Sequence, residues 1–147
     1  MQTTSMSPTI EEGDHFTTFE IKSETLNPIE RFDIVAYKLQ PVPNQTFDKE
    51  TRLFHRVVGL GGEKIEIKAG KIFINDKLLD EPFQKVTSGE DFPAIVIPNN
   101  EYFLIGDNRP QSLDSRYWQK PTIKLEDIDG KVTTIIRKED WDKGKRW

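Results

Sequence analysis

Lys64-Ile65-Glu66-Ile67-Lys68-Ala69-Gly70-Lys71-Ile72-Phe73-Ile74 decides the fold class. Its first five residues alternate strictly between charge and isoleucine, the period of a strand with one buried face. Ala69-Gly70 supplies a two-residue turn, and Lys71 to Ile74 returns as a second strand, so the stretch predicts a β-hairpin. Working outward, the same kind of short run recurs. Phe16 to Lys22, Asp33 to Tyr37 and Leu53 to Leu60 precede the hairpin. Ala94 to Ile97, Tyr102 to Ile105 and Val132 to Ile136 follow it. Turn residues separate the runs at Pro41-Val42-Pro43-Asn44, Asn75-Asp76, Pro98-Asn99-Asn100 and Asp129-Gly130. No segment carries a helical period beyond two turns. The pattern predicts an all-β, barrel- or sandwich-like fold with few or no long helices.

The 147 residues read as one domain, 1–147, without internal repeats or low-complexity blocks. Gln40 to Lys49 and Phe83 to Pro93 are the candidate exposed loops. Arg137 to Trp147, with its basic residues and two Trp, reads as a solvated tail, or else as an interfacial contact. A net charge of −4 argues against broad binding to nucleic acid. The absence of Cys excludes a disulfide framework, a thiolate zinc site and a Cys nucleophile together. No run approaches the ~20 apolar residues of a membrane span. The two histidines, His15 and His55, lack metal-ligand spacing, so no metal or other cofactor is called. Gly59-Leu60-Gly61-Gly62 lacks the Lys-Ser/Thr of a phosphate loop and reads as a turn between strands.

Three clusters could carry chemistry. In Ser5-Met6-Ser7-Pro8-Thr9-Ile10, Pro8 stiffens a loop that can hold a hydroxyl in place. The second, Phe54-His55-Arg56-Val57-Val58-Gly59, puts a lone His in a strand, where a packed or surface residue is commoner than a base. The third, Gly106 to Trp118, is densely polar directly after an apolar run. It marks either a working loop or a salt-bridged corner.

Taken together, the clusters resemble the bacterial type I signal peptidases, also called leader peptidases. Ser5 to Ile10 match the nucleophile box Ser-Met-x-Pro-Thr-aliphatic. Asp33-Ile34-Val35 matches the next box, with Phe32 where the family prefers Gly. Arg56-Val57-Val58-Gly59-Leu60-x-Gly62 matches the third, with Gly61 for the usual Pro and Glu63 for Asp. Gly106-Asp107-Asn108-Arg109 and Ser112-x-Asp114-Ser115-Arg116-Tyr117-Trp118 match the fourth and most specific. Gly70 to Asn75 and Ile128 to Val132 are also similar. The resemblance implies coiled, barrel-like antiparallel sheets and a serine endopeptidase that removes signal peptides from exported preproteins. It places the domain at the membrane surface, on the periplasmic or extracytoplasmic side.

Two departures stand out. The family has a catalytic Lys before the Arg of the third box, and here that position is His55. The catalytic subunits of endoplasmic-reticulum signal peptidase, and archaeal relatives, carry His there. The family also has a membrane helix before the nucleophile box, whereas four residues precede Ser5, so the sequence is expected to be a soluble form lacking the anchor. By resemblance Ser5 is the nucleophile and His55 the general base, with a pKa expected near ~6 to 7. The oxyanion falls to the Ser5 N–H and Thr3. Ser112 hydrogen-bonds the base, Asp107 or Asp114 orients it with the edge to Asp107, and Asp114 also pairs structurally with Arg116. Met6, Ile10 and Phe54 line the substrate pockets. His15 is read as structural, and Lys22 is rejected as a base.

Other readings remain. A catalytically impaired relative would bind signal-peptide segments without efficient cleavage. A LexA-like self-cleaving domain lacks the fourth box, and a β-domain that only mediates contacts leaves four ordered boxes unexplained.

Overall fold

The computed structural model describes residues 4–21, 29–43 and 52–146. Thr3, Lys22, Trp147 and the 44–49 part of the first predicted loop lie outside those residues. Ten strands run through the described chain: β1 (His15–Glu20), β2 (Ile34–Lys38), β3 (Arg52–Leu60), β4 (Lys64–Lys68), β5 (Lys71–Ile74), β6 (Lys77–Leu78), β7 (Phe92–Val96), β8 (Glu101–Ile105), β9 (Ile123–Lys124) and β10 (Ile128–Ile136). Six of them form a sheet in the order β1-β10-β2-β3-β8-β9, and the other four one in the order β6-β5-β4-β7. Every strand pairing in both sheets is antiparallel. The mainly β reading therefore holds, and the Ile-alternating run is the β4–β5 hairpin at the centre of the smaller sheet.

Strands β3 and β8 are buried on both faces, which is why they read as unbroken apolar runs rather than alternating ones. Val57 and Leu104 face a core with Val35, Tyr37, Trp118, Ile123 and Ile128. Their chain neighbours Val58, Phe103 and Ile105 face the second core, with Ile65, Ile67, Ile72 and Ile97. Two adjacent strands thus tie both sheets to one interior. A bulge between Val57 and Gly59 opposite β8 fits this dual role, and a Cβ on Gly59 would sit 2.5 Å from Ile97 Cδ1.

The Gly61-Gly62 turn links β3 to β4, with Gly62 at φ +86°. Asp129-Gly130 is different from its turn reading. It lies inside β10 at a bulge against β2, where a Cβ on Gly130 would meet Phe19 O at 2.8 Å. A glycine that looks like a turn signal is here a close backbone approach between strands.

The tail reading of Arg137 to Trp147 also needs correction. Residues Lys138–Asp142 form a short helix, α1, held against Asp14 and His15 just after the Ser5 loop. Asp14 Oδ1 accepts from Lys138 N at 2.9 Å and Asp14 Oδ2 from Arg137 Nη1 at 2.7 Å. His15 stacks on Trp141, ring centroids 3.8 Å apart, with the Arg146 guanidinium on the same indole. Those ring contacts place His15 in packing.

Candidate active site

The site assembles where three chain segments meet: the loop carrying Ser5, strand β3 carrying His55, and the loop after β8 carrying the fourth box. The Ser5 loop is a run of turns, with Ser7 N–H on Thr4 O at 3.1 Å and Ile10 N–H on Met6 O at 2.9 Å. These turns bury Met6 and Ile10 against Ile34, with Phe54 packed alongside. The three residues named as pocket-lining are therefore brought together. Ser5 itself is almost fully buried, at 3% exposure.

The fourth box holds this loop by its backbone. Asn108 N–H donates to Ser5 O at 2.9 Å and Asn108 Nδ2 to Thr4 O at 3.1 Å. Gly106 lies directly beneath: a Cβ there would stand 2.5 Å from Ser5 O and 2.2 Å from Ser112 Oγ. Ser5 and Ser112 thus press on one glycine, although they lie far apart in sequence.

His55 is buried in β3 with both ring nitrogens occupied. Nε2 lies 3.2 Å from Ser112 Oγ, and Nδ1 lies 2.6 Å from Tyr37 Oη. Burial pushes its pKa down to about 4; the charges of Asp114 and Asp107 oppose that shift and Arg116 reinforces it. The expected value of ~6 to 7 is corrected accordingly, because a ring at 1% exposure loses most of its hydration. Tyr37 is pushed the opposite way by burial and by the Asp114 charge, so it stays a neutral phenol.

Ser112 Oγ donates to Asp114 Oδ2 at 2.6 Å. Asp114 also accepts from Gly106 N–H at 3.0 Å and from Arg116 Nε and Nη2, both at 2.8 Å. It reaches the imidazole only through Ser112. Asp107, given the edge as orienting partner, sits elsewhere. Its carboxylate takes a two-point pair from Arg56, Nε at 2.9 Å and Nη2 at 2.7 Å, and a further hydrogen bond from Thr9. Arg56 also donates to Phe32 O at 2.7 Å and lies over the Phe83 ring. The physical reason is competition: the adjacent guanidinium offers Asp107 two charge-assisted donors, and a neutral imidazole offers at most one. Thr3, expected to serve the oxyanion, lies outside the described residues.

Tyr37, Arg56 and Thr9 are the site residues that sequence reasoning passed over. Tyr37 was legible in principle. A tyrosine inside a buried strand carries a hydroxyl that needs a partner. Among the described residues no group of His, Asp and Glu is arranged to hold a metal. Nor is any helix there long and apolar enough to cross a membrane.

The family model described as "Signal peptidase, peptidase S26" matches residues 1–137. The chain belongs to that family. It is 35% identical over 128 residues to "Signal peptidase I V" of Bacillus subtilis, covering 78% of this chain and 71% of that protein. It is 30% identical over 119 residues to "Probable signal peptidase I-2" of Synechocystis, covering 78% of this chain and 51% of that protein. The chain thus spans about half the length of that cyanobacterial relative. Among solved structures, it is similar to a signal peptidase I from Enterococcus faecalis. The TM-score is 0.56 at 29% identity, over 74% of this chain and all of that one.

Proposed function

We propose that residues 1–137 and the docked α1 act together as the catalytic domain of a serine endopeptidase that removes signal peptides from exported preproteins. Ser5 Oγ attacks the scissile carbonyl and His55, at the position of the family's catalytic Lys, accepts its proton. The observation that carries the reading is the convergence of the Ser5 loop and the His55–Ser112 pair on Gly106.

The charge state supports it. A Lys base must first lose a proton held near ~10.4, whereas His55, with a pKa pushed to about 4, is neutral at pH 7 without further help. Ser112 takes the base-contacting role, with Asp114 behind it. Asp107 holds Arg56 and the Thr9 side of the nucleophile loop. The Ser5 N–H, with Thr3, meets the oxyanion. Met6, Ile10 and Phe54 shape the pockets for small side chains of an extended peptide. The substrate is delivered at the extracytoplasmic membrane surface.

Cleavage of a signal-peptide substrate by the parent and by Ser5→Ala, His55→Ala and His55→Lys tests this reading. The parent should exceed Ser5→Ala by orders of magnitude, and His55→Ala should lose ~10²- to 10⁴-fold. A parent no faster than Ser5→Ala at any pH, beside an active His55→Lys, would make the chain a disabled relative that only binds such peptides.

A further inference from the structure

Tyr37 sits in β2, where β2 and β3 pair with Val35 opposite His55 and Tyr37 opposite Leu53. The diagonal neighbour across this register is therefore on the same face, within reach of a long side chain. Its phenol meets Nδ1 at 2.6 Å, on the far side of the ring from Ser112. Tyr37 is fully buried and also packs on Trp118, ring centroids 5.4 Å apart, so the hydroxyl is held in place.

We propose that Tyr37 is a positioning residue for His55, holding Nδ1 as the orienting carboxylate does in a Ser-His-Asp triad, so that Nε2 faces Ser112 and the Ser5 loop. The proposal rests on His55 being the base. Its chemistry follows from the proton count. The Ser112 hydroxyl has one proton and directs it to Asp114 Oδ2 at 2.6 Å. Ser112 Oγ can then only accept. To take the Ser5 proton on Nε2, the neutral ring must carry its own proton on Nδ1, and Nδ1–H donates to Tyr37 Oη. After the transfer both ring nitrogens carry hydrogen: Nε2–H has Ser112 Oγ, and Nδ1–H keeps Tyr37 Oη. The phenol oxygen accepts in both states and so selects the tautomer that leaves Nε2 free to act as base. Being neutral, the phenol also leaves the ring's pKa low, whereas a carboxylate would raise it. The other charges acting on the ring come from the fourth-box loop: Asp114, Arg116 and Asp107, the last paired with Arg56 of β3.

The test is Tyr37→Phe in two backgrounds. With His55 present, kcat should fall about tenfold, the weight of one orienting hydrogen bond, with KM unchanged because Tyr37 is fully buried beneath the site. In His55→Lys there is no Nδ1, and the same substitution should change kcat by no more than about twofold. An equal loss in both backgrounds would make Tyr37 a packing residue and overturn the proposal, as would no loss with His55 present. Site-specific 3-fluorotyrosine at position 37 covers the case in which Tyr37→Phe fails to fold. A more acidic phenol is a poorer acceptor from Nδ1–H, and the loss is greater for the charged imidazolium than for the neutral ring, so the His55 titration should move to lower pH. An unmoved titration rejects the contact. That titration, followed by ¹⁵N resonances of His55, does not need turnover. It therefore still decides the role of Tyr37 if the parent matches Ser5→Ala and the peptidase reading itself fails.

Discussion

Asp114 and Arg116 meet as a buried two-point pair, with Arg116 Nε on Oδ1 and Nη2 on Oδ2, both at 2.8 Å. The backbone between them is a turn closed by Tyr117 N–H on Asp114 O at 2.9 Å, not the extended segment in which alternate residues share a face. Burial works against the Arg116 charge, but the hydrogen bonds and charge of Asp114, with Glu90 beside them, hold its pKa above the ordinary guanidinium value. One carboxylate thus anchors the turn, Gly106 N–H and Ser112 at once.

Asp114→Ala should therefore cost stability as well as activity. Arg116 keeps Glu90 and the Arg109 carbonyl, but its Nε, the Gly106 N–H and the Ser112 hydroxyl lose their acceptor, at about 1–3 kcal/mol for each buried donor left unsatisfied. Urea denaturation of the variant measures it. A variant as stable as the parent but without turnover would move Asp114 into direct catalysis.

The titration of His55 sets a second expectation. Its folded pKa, pushed to about 4, lies below the ordinary imidazole value of 6.5 that applies when the chain is unfolded. Between those values the unfolded chain binds more protons, so stability falls as pH drops through that window. The neutral ring's contribution is complete above about 6.5 and lost below about 4, a difference of about 3 kcal/mol. Comparing denaturation of the parent and His55→Gln from pH 7 to 4 isolates it from the carboxylates. The acidic limb of kcat should follow the same group and stay flat to about pH 5, while His55→Lys should carry its limb higher. A parent limb at pH 6 to 7 would mean that the ring works in a hydrated state unlike the buried one.

What the sequence made legible is what short-range physics controls. Alternation at Lys64 to Lys68 and apolar runs at β2, β3 and β8 located the strands, because burial of one face or two writes itself into residue order. The four boxes located Ser5, His55 and Ser112. Partnership across the fold was less visible. Nothing local says that Asp107 meets Arg56 while Asp114 reaches His55 through Ser112; that choice depends on which donors the sheet register delivers. The two-residue strands β6 and β9 escaped because so short a run carries no period. Gly130 was misread because a bulge and a turn ask for the same residue.

Gly106 offers the sharpest test of the convergence. Any Cβ there would lie 2.2 Å from Ser112 Oγ and 2.5 Å from Ser5 O, both closer than real contacts allow. On the Ser112 side, rotating the hydroxyl would still leave its Cβ at 2.6 Å. The Ser5 side is backbone, tied to Asn108 N–H at 2.9 Å, and cannot move without carrying the Ser5 side chain with it. Gly106→Ala should fold, at a cost of about 1–3 kcal/mol for overpacking. Its kcat should nonetheless fall by about 10²-fold, since a displacement near 1 Å at the reacting group has that weight. Circular dichroism checks the fold and a cleavage assay the rate. A Gly106→Ala enzyme within about twofold of the parent would show that the Ser5 loop does not need its seat on Gly106, and the proposed site geometry would fall with it.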